Sequence, residues 1–299
     1  MRSPAVLAGR DRYERVMEGR VDNTHEDAFT HTVRLGDDDR ALEVAVVALP
    51  SPTYAIRAAR LTPLAGRVAP SLAEGFARLA GAEMVGGLTR RAAELLGDAD
   101  GAPLAVDATI EVARLARQVA RMPRAVAERA TSGDALECWT LDTTGWADLP
   151  NSCFTYSPAG RALFGTRTVA TPMVPDLYSP RAGQTRVFER RKVARLERGD
   201  GRLRLFHSMH DNVHGFEITY EIDLASETVV RAEHVTPRLP YAGICSEPQQ
   251  RITALLGERA DPGLRKRIQS TLGGAAGCAQ LYDLTADLLR LLAGDRAAA

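Results

Sequence analysis

Apolar and polar residues alternate through residues 29–35, where Phe29, His31, Val33 and Leu35 fall on one side, the pattern of a half-buried strand. Residues 13–21 read as a strand before it. The acidic turn Gly36-Asp37-Asp38-Asp39 leads into a β-branched run over 42–49 that Pro50-Ser51-Pro52 ends. From Ser71, a plausible N-cap, the period becomes helical, with Leu72, Phe76, Leu79 and Ala80 on one stripe. Further helices are expected over 88–96, closed by Gly97, and over 104–121, ended by Met122-Pro123. The later part of the chain repeats this order. Strands are expected over 186–196, 202–210, 216–224 and 228–235, the first two joined by a turn containing Asp200-Gly201. Helices follow over 248–256, 263–272 and 278–292.

Short identities run in parallel with that order. Asp22-Asn23-Thr24-His25 matches Asp211-Asn212-Val213-His214, and Phe29, Pro50 and Tyr54 match Phe216, Pro237 and Tyr241. Gly87-Leu88 matches Gly263-Leu264, and Leu96-Gly97 matches Leu272-Gly273. The ordered series predicts a tandem duplication: a first repeat over 10–130 and a second over 186–293, each an antiparallel sheet of three to four strands followed by about three helices. The fold class expected is α+β. At 299 residues the chain has room for two domains of roughly 150 residues each.

Residues 131–185 join the repeats and are not a flexible linker, since such linkers are rich in Gly and Ser. They hold both tryptophans, Trp139 and Trp146, with Phe154, Tyr156, Phe164 and Tyr178. Such a segment packs against the domains or lines an apolar pocket between them.

Composition narrows the partners. Lys plus Arg and Asp plus Glu both number 38, so nothing favours nucleic acid or an acidic membrane surface. All basic residues but Lys192 and Lys266 are arginine, the bias of a GC-rich bacterial genome. No apolar run approaches the roughly 20 residues of a membrane span, and the stretch from Met1 to Arg10 is too short for a secretory signal. Cys138, Cys153, Cys245 and Cys278 lack CxxC spacing and read as reduced thiols of a cytoplasmic protein.

Several later residues carry a family resemblance: His214, Pro240-Tyr241, Cys245, Gly263-Leu264-Arg265 and the run from Leu272 through Gly273-Gly274-Ala275-Ala276-Gly277 to Cys278. In these the second repeat resembles the uncharacterised bacterial domain family DUF 2889. Where that family continues Thr-His-Leu, this chain has Ala279-Gln280-Leu281, and the first repeat has Ala102 and Ala58 in place of the two cysteines. The resemblance implies a fold and no activity.

The chemically informative residues are the paired Asp-Asn-x-His stretches. If they converge, His25 and His214 suit acid–base catalysis with Asp22 and Asp211 orienting them. The alternative is a divalent metal held by His25, His210 and His214. Asp-Asn is also ordinary turn chemistry. Cys278 at a helix start reads as a packing thiol. No GxSxG, HExxH, P-loop or GxGxxG motif occurs, so no organic cofactor is expected. The sequence therefore predicts an enzyme of lyase, isomerase or hydrolase type acting on a small apolar molecule, with aromatic compounds as candidates. Trp139, Trp146, Tyr156, Tyr54 and Tyr241 would hold the substrate. A metal-dependent hydrolase and a non-catalytic binder or scaffold are the other readings, and a homodimer is compatible with each.

Overall fold

The computed structural model describes residues 4–293; the first three residues of the Met1-to-Arg10 stretch lie outside the described residues. One antiparallel sheet of eight strands runs through the molecule in the order β4-β3-β2-β1-β5-β6-β7-β8. Its strands are β1 (Arg12–Asp22), β2 (Phe29–Asp37), β3 (Arg40–Ala48), β4 (Ile56–Gly66), β5 (Phe188–Gly199), β6 (Arg202–Asp211), β7 (Gly215–Asp223) and β8 (Thr228–Arg238). The α-helices are α1 (Ser71–Ala77), α2 (Leu88–Leu96), α3 (Ala102–Leu115), α4 (Arg124–Ala127), α5 (Ala135–Gly145), α6 (Pro158–Ala162), α7 (Pro175–Tyr178), α8 (Leu264–Leu272) and α9 (Ala279–Ala293). The fold is α+β.

Alternation decides which face each strand buries. Met17 and Val21 on β1, His31 and Val33 on β2, Val44 and Val46 on β3, and Leu205 and Met209 on β6 all point to the helical side. The register carries that side across the sheet, since Met17 pairs with Lys192 and Lys192 with Met209. The opposite face bears charged ladders such as Arg34 with Glu43 and Arg202 with Glu221. Antiparallel sheets tolerate one solvated face in this way.

Four strands precede the helices in each half, and β4 is the element the sequence pattern omits. Only Ile56 and Leu61 of β4 are buried, because it is an edge strand interrupted by Arg57, Arg60 and Pro63, so it lacks a period-2 signal. Ser71 is the first residue of α1 and not its cap. The third helix ends at Leu115, short of the expected 121. The segment expected as a helix over 248–256 forms 3₁₀ turns at Pro248–Leu255. The Asp200-Gly201 turn forms as expected, with positive φ at both residues (50° and 71°).

The element order also changes the pairing of the halves. β5 holds the place of β1, because each opens a run of four strands and the two lie side by side at the middle of the sheet. Leu88 opens α2 and Leu264 opens α8. Asp22-Asn23-Thr24-His25 lies between β1 and β2, whereas Asp211-Asn212-Val213-His214 lies between β6 and β7. The two histidines therefore do not occupy corresponding places.

Two apolar cores lie under the sheet. One gathers β1–β4 with α1–α3; the other gathers β5–β8, α8, α9 and much of the connecting segment, including Cys138, Leu141, Trp146 and Tyr178. Between the halves, charges meet on β1, β5, α3 and α9. Lys192 Nζ lies 2.7 Å from both Glu111 and Asp287. Arg114 pairs with Glu111, Asp283 and Asp287, and Arg290 bridges Asp107 and Asp287. Arg15 completes the group on Asp107 at 2.5 Å. Burial alone would raise the carboxyl pKa of Glu111 and Asp287; the surrounding cations outweigh it and hold both below the ordinary range.

Lys192→Met should destabilise the protein by about 3–5 kcal/mol, since it leaves two buried carboxylates short of a cation. Urea denaturation would show this, and an unchanged midpoint would refute it. His31 and His207, both buried on the helical side, are pushed down from 6.5 to about 4, mainly by burial. The unfolded chain then binds more protons between those values, so stability is full above pH 6.5 and falls as pH drops toward 4. His207→Gln should flatten that slope in urea titrations at stepped pH.

Candidate functional site

The Asp211 turn is built by its own side chain. Asp211 Oδ1 accepts the backbone N–H groups of Val213 (2.7 Å) and His214 (2.6 Å), an Asx turn that folds the chain back into β7. The same carboxylate accepts from His214 Nδ1 at 3.1 Å and from Arg190 Nε at 2.8 Å. Burial would raise the Asp211 pKa, but His214 and Arg190 more than offset it and hold the group ionised well below the usual range. His214 is thereby fixed in one orientation, its Nδ1–H on a carboxylate and its Nε2 left as the basic nitrogen.

His214 lies on the wall of a cavity of about 120 Å³. The floor of this cavity comes from the connecting segment. Asp134 caps α5 by accepting from Leu136 and Glu137 N–H, and α5 carries Asp142 on its buried side. Trp146 follows one turn later as the C-cap residue. Asp142 is enclosed by hydroxyls: Tyr156 and Tyr178 each donate to it at 2.7 Å, and Tyr241 donates as well. Burial raises the Asp142 pKa, and the three hydroxyls, with His214 further off, recover part of the loss. The tyrosines are pushed well up by burial and by Asp142, so they remain protonated donors. The remaining wall is mainly apolar, with Leu149, Met173, Val213 and Phe216.

Three thiols, Cys153, Cys245 and Cys278, also line the cavity. Burial pushes Cys153 up to about 11 and raises the other two, so none is a thiolate near neutral pH. Cys245 Sγ sits 3.0 Å from Thr155 Oγ1.

Most of the other residues singled out in the sequence lie elsewhere. His25 is exposed on the β1–β2 turn and is not among the residues lining the cavity. Asp22 accepts the Arg186 N–H at 2.7 Å, and Asn23 donates to the Pro180 and Arg181 carbonyls. Asn212 accepts the Glu189 N–H at 2.7 Å. Both Asp-Asn pairs thus fasten the chain leading into β5, one from each side. His210 meets Glu217 on the solvated face. Among the described residues, no group of three His, Cys, Asp or Glu side chains is placed to hold a metal. Trp146 and Tyr156 line the cavity; Tyr241 stands behind it on Asp142. Trp139 stacks on Tyr156 and donates to the Thr155 carbonyl, and Tyr54 donates to Asp148.

Asp142 escaped the sequence reading. The available signal was its place on the apolar stripe of α5 with Ala135, Cys138 and Leu141, where a carboxylate has to find donors. Tyr241→Phe removes one of three donors to that carboxylate and should cost about 1.5–3 kcal/mol in urea denaturation; a variant as stable as the parent would show the hydroxyl to be dispensable.

Among the described residues, no helix is long and apolar enough to cross a membrane. Residues 196–292 match the family model described as "Protein of unknown function (DUF2889)". No curated protein and no solved structure matches the chain. The matched third of the chain spans β6–β8, α8 and α9, and so contributes His214, Cys245 and Cys278 to the cavity, while Asp142 and Trp146 lie outside it.

Proposed function

We propose that this chain is an acid–base enzyme of lyase, isomerase or hydrolase type that acts on a small apolar molecule in the cavity beside His214, without an organic cofactor. The observation that carries the reading is the imidazole held through Nδ1 by a buried, ionised Asp211 on the wall of a mainly apolar cavity. A carboxylate so placed fixes the tautomer and stabilises the imidazolium formed when Nε2 takes a proton. Asp142 has its lone pairs largely occupied by tyrosine hydroxyls, so it is not the base in this reading. His25 has no part in this reading.

The same reading places the protein in the cytoplasm, in the catabolism of small molecules. We also read the two halves as copies of one ancestral unit. Its support is the shared order of four strands then helices, with Gly87-Leu88 and Gly263-Leu264 at the start of equivalent helices.

The test is a panel of small ketones, esters and hydroxy compounds in D₂O, followed by NMR for deuterium uptake, elimination or hydrolysis. Turnover by the parent protein should fall about 10²–10⁴-fold in His214→Ala and persist in His25→Ala. Equal turnover in His214→Ala, or none in the parent across the panel, sinks the proposal.

A further inference from the structure

Charges meet in reciprocal pairs across the seam between the halves. Arg114 of α3 binds Asp283 of α9 at 2.9 Å, and Arg290 of α9 binds Asp107 of α3 at 3.0 Å. Within each helix the arginine also meets the carboxylate three residues before it, Glu111 in α3 and Asp287 in α9. Asp107, Glu111 and Arg114 are spaced as Asp283, Asp287 and Arg290 are. Such reciprocity, in which each residue meets the counterpart of the other's neighbour, is the mark of a twofold interface.

The strands obey the same operation. Met17 of β1 lies directly opposite Lys192 of β5, with Arg15 opposite Ala194 and Arg190 opposite Gly19 on either side of that pair. Arg15 pairs with Asp37 at the end of β2, and Arg190 with Asp211 at the end of β6. Each arginine also lies over the aromatic ring two residues before it, Tyr13 or Phe188. Asp37 Oδ1 accepts the N–H groups of Asp39 and Arg40, both at 3.0 Å, which is the turn that Asp211 makes with Val213 and His214. Arg40 therefore stands at the place of His214. Ala102, at the start of α3, stands at the place of Cys278, each the same distance before its paired aspartate, Asp107 or Asp283.

Lys192 reaches the axis of this operation. Its Nζ is 2.7 Å from Glu111 and 2.7 Å from Asp287, the two counterpart carboxylates. Met17, its own counterpart, is buried beside it and lines the same small cleft. We infer that β1, β5, α3 and α9 form the interface of a twofold dimer now held within one chain. The partner that the second half fits is a second copy of its own unit, and the first half fills that place. The first half keeps the Asp37 turn but has Arg40 and Ala102 where the cavity has His214 and Cys278, so the chain carries one such site where a symmetric dimer would carry two. The inference rests on the reading of the halves as copies of one unit, and adds which residues correspond and how the copies pair.

A cation on a twofold axis can be delivered from either strand, and the full chain can be made to show it. Lys192→Met should lower the urea midpoint, because two buried carboxylates lose a partner. Met17→Lys/Lys192→Met should restore more than half of that loss. Ala194→Lys/Lys192→Met places the lysine on the same side of β5 and in the same cleft, but off the axis, and should restore less than half. The inference is overturned by an unchanged midpoint in Lys192→Met, by recovery of less than half from position 17, or by equal recovery from position 194. Should Lys192→Met not fold, folded and soluble protein from the Met17→Lys combination but not from the Ala194→Lys one supports the inference, and any other result overturns it. An overturning result would leave the duplication itself standing, since that reading rests on the order of strands and helices.

Discussion

The pairing of β1 with β5, and the buried charges above that seam, fix how the halves of this molecule meet. Arg15, Arg114, Lys192 and Arg290 face Asp107, Glu111, Asp283 and Asp287, and members of each sign come from both halves. Apolar packing is forgiving of small displacements, whereas a buried charge is tolerable only where its partner stands. The cores on either side supply most of the apolar burial, and the charges set the register in which the halves lock.

The site depends on the same strand. Arg190 and Lys192 are two residues apart on β5 and point to the same side. Lys192 joins the central charges, and Arg190 holds Asp211, which in turn builds the turn and orients His214. A shift of β5 along its neighbours would therefore disturb the seam and the imidazole together. That coupling explains how a single turn at the end of a sheet can hold a side chain in one orientation.

Much of this was legible in the sequence where one physical rule acts alone. Period-2 alternation gave β2, a β-branched run gave β3, Asp200-Gly201 gave its hairpin, and the aromatic content of the connecting segment announced burial. His214, Asp211, Trp146 and Tyr156 were singled out and do meet around one cavity or its support. The failures have physical causes too. β4 carries little alternation because an edge strand needs little. The repeated Asp-Asn-x-His misled because Asp and Asn bond nearby backbone wherever a chain turns, so similar letters arise in turns of different rank. Asp142 gave no motif, since its partners Tyr156, Tyr178 and Tyr241 are brought together only by the fold.

The cavity is assembled from several separate stretches of chain. The turn that fixes His214 joins β6 to β7 and is held by Arg190 of β5, while the surface formed by Asp142, Trp146, Leu149 and Tyr156 belongs to the connecting segment. Exchange of that segment would reshape the space offered to a ligand without moving the imidazole, because none of the bonds that hold His214 to Asp211 and Arg190 passes through it. The cavity-facing positions of this segment are thus the variable part of the architecture, and the histidine on the β6–β7 turn is its constant part.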